Sequence, residues 1–272
     1  MRDGYPIITL VVAPKVNKGI GEISNVKTLS KKIIDSDLLP DKFYIINHTL
    51  YDENFNVINK KEAYKYLFTN EEEYYFKKDD SNQGKGVIKI TKNNFDIDAL
   101  YNNGDAVIQQ PIEQSKWFDE IVTGSVATIR ITTIKDKDKN IRLGAAYLRL
   151  GRSDSSVVQS KTAIRVPILD EEGTLNEYGS DPLWKRHYNH PDTNFKFLGQ
   201  QIPNFKNAIK DCIQIHKKLP HFSIIGWDVS ITNEGDTKII EWNAGHPDIK
   251  FSEVSVGPCF AGLGWDQLHK EN

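Results

Sequence analysis

Residues Ile224 to Asn243 read Ile-Ile-Gly-Trp-Asp-Val-Ser-Ile-Thr-Asn-Glu-Gly-Asp-Thr-Lys-Ile-Ile-Glu-Trp-Asn. Apolar and polar residues alternate on both sides of the turn-forming residues 233–236, and this pattern predicts a β-hairpin. A turn centred on Glu234 and Gly235 sets the pairing of the two strands. The predicted pairs are Trp227 with Trp242, Asp228 with Glu241, and Val229 with Ile240.

One side of the predicted hairpin carries acidic residues. Asp228 faces Glu241, and Asn243 shares their side because side chains alternate with period two. Facing carboxylates repel each other, whereas a divalent cation between them removes the repulsion. Carboxylate and amide oxygens are hard ligands that suit Mg²⁺. The alternative is a solvated face on which each acid pairs with a lysine. The polar residues 244–247 that follow favour the metal site, and the tryptophan side is predicted core.

Composition limits the classes of partner. The chain has 272 residues, with 35 Lys and Arg against 37 Asp and Glu, for a net charge of −2. This balance predicts no nucleic-acid partner and no attraction to a charged membrane surface. Cys212 and Cys259 are far apart without metal-ligand spacing, which favours a reduced, cytoplasmic protein. The longest apolar run, residues 5–14, is too short for a transmembrane segment.

Strands that alternate with few helices predict the α+β class. The predicted parts are an N-terminal segment at residues 1–60, a small lobe at 61–112 and a large lobe at 113–272. We expect a buried strand at residues 7–12, a helix at 25–34 with Ser24 as its N-cap, and a second helix at 202–218. Residues 113–124 are expected to be exposed to solvent.

A glycine-containing loop lies between two predicted strands and reads Lys77-Lys78-Asp79-Asp80-Ser81-Asn82-Gln83-Gly84-Lys85-Gly86-Val87. Gly84 and Gly86 let the backbone approach an anion closely, so that its amides can point at phosphate oxygens. Lys77, at a strand end, would reach the same phosphates, and Lys85 lies at the loop tip. The alternative is an ordinary turn with a solvated Lys77, because no Walker motif and no following helix are present.

An arginine lies among β-branched residues in Thr128-Ile129-Arg130-Ile131-Thr132-Thr133. The side-chain alternation puts Arg130 on the polar side of its strand with Thr128 and Thr132. If that side lines a cleft, Arg130 suits a bidentate grip on a phosphoryl group; otherwise it is simply exposed. Arg149 and Arg152 are further candidates, in that order after Arg130.

The loop, the arginine strand and the acidic hairpin, in this order, resemble the sugar-transfer-associated ATP-grasp family of bacterial surface-polysaccharide clusters. The resemblance extends over roughly residues 70–250, and the hairpin is its most specific part. The segments that carry it are Lys77 with Gly84–Val87, Val107–Ile112, Ser125–Thr133, Ala146–Gly151, Gly226–Asp228 and Glu241–Asn243.

The resemblance implies an ATP-grasp fold in which two α+β lobes clasp ATP, with Mg²⁺ as the metal cofactor. By position, Lys77 resembles the lysine that holds the α-phosphate, and Arg130, supported by Arg149, the arginine at the transferred phosphoryl group. The other implied contacts are Ser81, Gly84, Lys85 and Gly86 over the phosphates, Gln110, Pro111 and Ile112 at adenine, Glu113 near the ribose, and Asp228, Glu241 and Asn243 on the metal.

The same resemblance implies an ATP-dependent amide ligase, a C–N ligase that forms ADP. Such an enzyme would activate a hexuronic acid carboxylate as an acyl phosphate and couple it to an amino acid or amino alcohol in capsule or O-antigen biosynthesis. Arg152, Arg165 and His246 are the expected substrate contacts. An ATP-grasp-like kinase acting on a sugar or polyol hydroxyl, and a non-catalytic carbohydrate-binding module, are the alternatives. The short N-terminal segment is also what a domain of a larger polysaccharide-synthesis protein would show.

The sequence leaves several properties open. They are the identity of the amine, the oligomeric state, and whether the acid is a free sugar, a sugar nucleotide or a lipid-linked glycan.

Overall fold

The computed structural model describes residues 13–79, 81, 86–122, 124–152, 161–265 and 268. The chain divides into two compact units, one of Asn25–Ile112 and one of Met1–Ser24 with Glu113–Asn272. The α-helices in the described residues are α1 (Ala13–Val16), α2 (Lys27–Ile34), α3 (Ala63–Leu67), α4 (Ile97–Asn102), α5 (Lys116–Asp119), α6 (Phe205–Lys217) and α7 (Ile249–Ser255). Short 3₁₀ helices span Ile20–Asn25 and Lys60–Glu62.

The strands form two antiparallel sheets, which confirms the α+β class. The first sheet contains β1 (Asp41–Ile46), β2 (Thr49–Asp52), β3 (Val57–Ile58), β4 (Glu73–Lys78), β5 (Val87–Thr91) and β6 (Ala106–Gln109). The second contains β7 (Thr128–Lys135), β8 (Ile141–Leu150), β9 (Ile164–Pro167), β10 (Gly179–Ser180), β11 (Arg186–His187), β12 (Ile224–Ile231) and β13 (Thr237–Asn243). The strand predicted at residues 7–12 lies outside the described residues.

The unit Asn25–Ile112 is built on the sheet β3-β2-β1-β6-β4-β5. The period of two in β4 buries Tyr74 and Phe76 on one face, where they join the core of the unit. Lys77 therefore emerges on the other face of the sheet, and its neighbours in register are Val87 and Val107.

Helix α2 begins at Lys27, and Ser24 is not its N-cap, so this prediction was wrong. The Ser24 hydroxyl instead donates to the Gly21 carbonyl at 2.8 Å and accepts from the Ala244 amide at 3.0 Å. The start of α2 is capped from a distant part of the chain, because the Thr28 amide donates to the Asp79 carboxylate at 2.8 Å. A carboxylate stabilises the positive end of a helix from whichever element delivers it.

The second unit is built on the sheet β11-β10-β9-β8-β7-β12-β13. Helix α6 packs on β7, β8, β12 and β13. Trp227 and Trp242 are fully buried and stack with ring centroids 6.5 Å apart, which confirms the predicted core side of the hairpin. Among the described residues, no helix combines the length and the apolar character that crossing a bilayer would require.

The hairpin register agrees with the prediction only on one side of a β-bulge. Trp227 pairs with Trp242 and Asp228 pairs with Glu241, but Val229 pairs with Ile239 rather than with Ile240. The turn is one residue longer than predicted, because Ile231 pairs with Thr237 and the Thr232 amide donates to the Asp236 carbonyl; Gly235, in the turn, has φ +87°. Ile240 is the extra residue of the bulge, which restores the register near the strand ends.

The prediction that residues 113–124 are exposed is right for the charged residues of this stretch and wrong for its apolar ones. Phe118, Ile121 and Val122 are fully buried, and helix α5 lies within the segment. Their spacing of three and four residues is that of one helix face, a signal that the surrounding charged residues obscured. The Ser115 amide donates to the Ile231 carbonyl at 2.8 Å, which ties the segment to the end of β12.

A buried hydrogen-bonded chain joins helix α6 to the sheet. The Trp227 indole N–H donates to the Thr133 hydroxyl at 2.8 Å, and that hydroxyl lies 2.7 Å from His216 Nδ1. His216 Nε2 lies 3.1 Å from the Phe222 carbonyl, to which it donates as the neutral tautomer. Burial lowers the pKa of His216 to about 4.

This lowered pKa predicts a loss of stability in mild acid. The unfolded chain takes up the His216 proton near its ordinary pKa of 6.5, whereas the folded protein resists protonation until about pH 4. The free energy of unfolding should therefore fall as the pH drops from about 6.5 to about 4, with a contribution of roughly 3 kcal/mol from this residue. Urea unfolding at several pH values measures this fall in the free energy of unfolding.

The matched variants are His216→Gln, which cannot titrate in this range, and His221→Gln, which changes an exposed histidine nearby. The His221→Gln protein should keep the full pH dependence. An equal pH dependence in His216→Gln would show that other groups cause the loss.

Candidate active site

Four polar residues form a row across the second sheet. Tyr147 on β8 pairs with Arg130 on β7, Arg130 pairs with Asp228 on β12, and Asp228 pairs with Glu241 on β13. Residues directly opposite each other in an antiparallel sheet point to the same face. The row therefore lies on the face opposite the buried tryptophan pair, as the alternation in the sequence predicts for Arg130 and Asp228.

The centre of the row is a buried ion pair. Arg130 Nε lies 2.6 Å from Asp228 Oδ1, and Arg130 Nη2 lies 3.0 Å from Asp228 Oδ2. Arg149 Nη1 approaches Asp228 Oδ2 at 3.3 Å from the neighbouring strand. The side chains of Arg130 and Asp228 are each only 7% exposed. One carboxylate thus holds two guanidinium groups in a region with little water to screen them.

The pKa values of Arg130, which belongs to the pair, and of the neighbouring Tyr147 are both shifted. Burial acts to lower the pKa of Arg130, but the charge of Asp228, its hydrogen bonds to Arg130 and the charge of Asp248 act in the opposite direction, and the net pKa is raised. Burial raises the pKa of Tyr147, so its hydroxyl keeps its proton and donates to the Asp248 carboxylate. Asp248 has φ 60° and ψ 57°, a left-handed conformation unusual outside glycine. Tyr147 and Asp248 were not singled out as site residues from the sequence.

Gly226 leaves room for the segment that follows the hairpin. A Cβ atom at Gly226 would lie 2.9 Å from the Pro247 carbonyl oxygen and 3.2 Å from Arg130 Nη1. The Thr132 hydroxyl, opposite Gly226 in register, donates to the same Pro247 carbonyl at 3.4 Å. The missing side chain therefore lets residues 244–248 cross the sheet beside the ion pair.

The predicted metal ligands occupy adjacent strands. Asn243 pairs with Gly226 and comes two residues after Glu241 in β13. The side chains of Glu241 and Asn243 therefore lie on the same face of the sheet. Asn243 Nδ2 is buried without a hydrogen-bond partner among the described residues. The described residues contain no group of three or more His, Cys, Asp or Glu that could hold a metal ion. Two carboxylates and an amide nevertheless fit a hard cation such as Mg²⁺, with Asp228 shared with Arg130.

The predicted phosphate loop belongs to the unit Asn25–Ile112, and Gly84 and Lys85 lie outside the described residues. At the loop base, Gly86 has φ +79°, and a Cβ atom there would lie 2.8 Å from Ser81 Cβ. Lys27 Nζ donates to the carbonyls of Asp79 at 2.9 Å and Ser81 at 2.8 Å. With the Asp79 cap on α2, these bonds fix the start of the loop. Lys27 was not predicted as a loop contact, because it lies far from the loop along the chain.

The predicted adenine contacts follow β6. The Gln110 amide donates to the Pro40 carbonyl at 3.0 Å, Pro111 and Ile112 are half-buried, and Glu113 is exposed. The preceding residue is tied to β1, because Gln109 Nε2 donates to Asp41 Oδ1 at 2.7 Å. Burial raises the pKa of Asp41, although the hydrogen bonds from Gln109 and Tyr44 oppose the shift.

The three predicted substrate contacts lie in different surroundings. Arg165 pairs with Arg149 across β8 and β9, which brings it onto the face of the ion pair. Arg152 is held in a bidentate contact by Asp192, with Nε 2.8 Å from Oδ2. The His246 side chain is mostly exposed and lies 3.9 Å from Glu22. Of the three, Arg165 is the one that strand pairing places beside Arg149.

The family described as sugar-transfer associated ATP-grasp matches residues 97–263. The matched region is more than half of the 272 residues, and the chain belongs to this family. The resemblance seen in the sequence is therefore confirmed. No match is found among curated proteins.

Solved structures show the same fold at low sequence identity. The biotin carboxylase–β-γ-ATP complex from Campylobacter jejuni matches with a TM-score of 0.53 and 11% identity, over 90% of this chain and 45% of that one. The ATP-grasp ligase PsnB with a phosphomimetic precursor variant, Mg and ADP matches with a TM-score of 0.50 and 12% identity, over 92% and 61%. The predicted ATP-grasp fold is confirmed. This chain spans less than two thirds of these relatives, and 64% of PsnB with its minimal precursor.

The buried ion pair predicts strong coupling between its two residues. Asp228→Asn and Arg130→Met should each lower the free energy of unfolding by about 3 kcal/mol, because each leaves a buried charge without its partner. The double variant should lose much less than the sum of the two. Urea unfolding of the four proteins gives the coupling energy.

The control is Glu172→Gln, which breaks the exposed pair between Glu172 and Lys206 in the same unit. This change should leave the unfolding midpoint where it is, because exposed pairs are screened by water. Additive losses in the double variant would contradict a direct Arg130–Asp228 interaction.

The crossing at Gly226 predicts a steric penalty for any side chain there. Gly226→Ala should lower the free energy of unfolding by roughly 1–3 kcal/mol, because the added methyl group overlaps the Pro247 backbone. Ser230→Ala on the same strand is the control, since it removes a buried hydroxyl that has no hydrogen-bond partner among the described residues. It should change stability little or raise it. Equal losses in both variants would argue against the overlap.

Proposed function

We propose that this protein is an ATP-dependent ligase that uses Mg²⁺ and joins a sugar carboxylate to an amine. The observation that carries the proposal is the Arg130–Asp228–Arg149 cluster, which lies in a member of the sugar-transfer associated ATP-grasp family. Two guanidinium groups on one sheet face suit a reaction that moves a phosphoryl group. The acid is a hexuronic acid, and the amine is an amino acid or amino alcohol, in bacterial capsule or O-antigen synthesis in the cytoplasm.

The reaction needs ATP because a carboxylate is a poor electrophile. In the first step, a carboxylate oxygen of the sugar bonds to the terminal phosphorus of ATP, and ADP leaves. In the second step, the amine nitrogen bonds to the acyl carbon, phosphate leaves, and the nitrogen loses a proton. The product is an amide, and one ATP becomes ADP and phosphate for each bond formed.

Arg130 and Arg149 act on the transferred phosphoryl group. Both guanidinium groups are already oriented by Asp228, so little reorganisation is needed when charge develops on the phosphoryl oxygens. Asp228, Glu241 and Asn243 would hold Mg²⁺, which when bound neutralises charge on the terminal phosphates. Arg130 then exchanges part of its contact with Asp228 for the phosphoryl oxygens.

The unit Asn25–Ile112 supplies the other nucleotide contacts. Lys77 binds the α-phosphate, and residues 81–86 cover the β- and γ-phosphates. The bonds from Lys27 and the Asp79 cap hold the backbone at Asp79 and Ser81, where this loop begins, in place. Residues 110–112 bind adenine through their backbone, and Glu113, the first residue after this unit, contacts the ribose.

Nucleotide binding is the first measurement. Mg²⁺ and ATP together should raise the melting temperature, since a ligand at 100 times its dissociation constant stabilises the folded state by about 2.7 kcal/mol. Lys77→Met should reduce this shift, whereas Lys65→Met, which changes an exposed lysine on α3 of the same unit, should keep it. The absence of any shift in the wild-type protein would contradict the assignment of ATP.

The reaction type follows from a screen of uronic acids against amines with ADP release as the readout. ADP should form only when an acid and an amine are both present. Formation of a stable phosphoester without an amine would instead identify a sugar kinase. Sugar binding without ADP release for every combination would identify a non-catalytic carbohydrate-binding module.

A further inference from the structure

A partly exposed aromatic ring lies next to the arginine face of the second sheet. Trp184 is 40% exposed, and its ring stacks on Phe251, with centroids 5.8 Å apart and planes inclined by 22°. Phe251 is buried and belongs to helix α7, close to Asp248. Trp184 therefore has one face against the protein and leaves part of its surface to solvent.

The turn that carries Trp184 is held in a fixed shape. Trp184 has φ +66°, a left-handed conformation, and its amide donates to the Asp181 carbonyl at 2.9 Å. The Asp181 side chain accepts from the amides of Leu183 at 2.9 Å and Lys185 at 3.0 Å. An unusual conformation on a bulky residue persists only where the surroundings enforce it. The exposed ring is thus positioned rather than loosely attached.

Arg165 lies beside the same aromatic pair. Its guanidinium carbon is 5.9 Å from the centre of the Phe251 ring. Arg165 Nε is buried and has no hydrogen-bond partner among the described residues. A buried donor without an acceptor is destabilising, and an anionic oxygen would satisfy it. The guanidinium group therefore has unused capacity for a bound carboxylate.

Arg165 also faces Arg149 directly in register. Like charges opposite each other on neighbouring strands repel. Asp228 contacts Arg149 from the direction of β7 and β12. An anion bound on the other side, next to Arg165, would relieve the repulsion that remains between Arg149 and Arg165. Strands β9 and β7 are separated by two strand spacings, or about 10 Å. A carboxylate between the two arginines would thus lie within side-chain reach of Arg130.

We propose that Trp184, Phe251 and Arg165 form a binding subsite for a pyranose that carries a carboxylate. The apolar C–H face of the sugar ring packs on Trp184, which Phe251 supports from beneath. The carboxylate binds Arg165 in a charge-assisted contact and points along the row toward Arg149 and Arg130. This subsite rests on the proposed function, because it assigns the binding of the acid that the ligase activates.

Ligand-observed NMR without nucleotide tests the subsite directly. The probes are D-glucuronate and D-galacturonate, with D-glucose as the uncharged comparison. At least one uronate should bind more tightly than glucose, and Arg165→Gln should weaken uronate binding about tenfold and remove that preference. Trp184→Leu should weaken binding of uronate and glucose alike, because both use the ring face.

Each variant has a matched control. Arg142→Gln changes an exposed arginine on β8, and Leu183→Ala changes the exposed residue next to Trp184. Both should bind uronate as the wild-type protein does. Arg165→Lys keeps the positive charge and is the variant to use if Arg165→Gln does not fold. It should keep part of the wild-type affinity for uronate. Failure of both uronates to bind, or wild-type affinity in Arg165→Gln and Trp184→Leu, would overturn the subsite.

The experiments can contradict the proposed subsite and the proposed ligase activity independently. Uronate binding that depends on Arg165 and Trp184, without ADP release for any amine, would support the subsite and reject the ligase. ADP release whose KM for uronate is unchanged in both variants would support the ligase and reject the subsite. A raised KM for uronate with an unchanged KM for ATP in both variants would support both.

Discussion

A buried carboxylate between two arginines is the interaction on which the candidate site depends. Asp228 neutralises Arg130 through two hydrogen bonds and draws Arg149 toward the same point. Without Asp228, two guanidinium groups would lie close together with little water between them, which is strongly unfavourable. Without the arginines, Asp228 would face Glu241 and lose the two guanidinium groups that balance its charge. The charges therefore hold one another in place before any substrate arrives.

The antiparallel sheet places these charged residues together on one of its two faces. Because opposed residues share a face, strand pairing alone puts Arg165, Arg149, Arg130 and Asp228 on one side of four neighbouring strands. The other side is occupied by the tryptophan pair and helix α6, which make that side the core. The face of the candidate site and the core face thus arise from the same strands through the period of two.

Long-range contacts fix the edges of the candidate sites. Gly226 admits the Pro247 backbone, so the segment after β13 passes over the sheet and delivers Asp248 to Tyr147. In the unit Asn25–Ile112, Asp79 caps helix α2 from the start of the predicted phosphate loop. Each contact joins residues that are distant in sequence, and Asp79 takes the capping position that was predicted for the nearby Ser24.

Local patterns in the sequence were enough to predict the α+β class, the core side of the hairpin and the pairing of Asp228 with Glu241, and the order of the motifs was enough to recognise the family. The three structural features follow from period-two patterning and from turn residues, which act over a few positions. Long-range packing binds Asp228 to Arg130, makes Ile240 a bulge, buries Phe118 and gives α2 its cap from Asp79 rather than from Ser24. Ion pairs, caps and burial depend on partners supplied by other strands, and local patterning does not specify which residues those partners are.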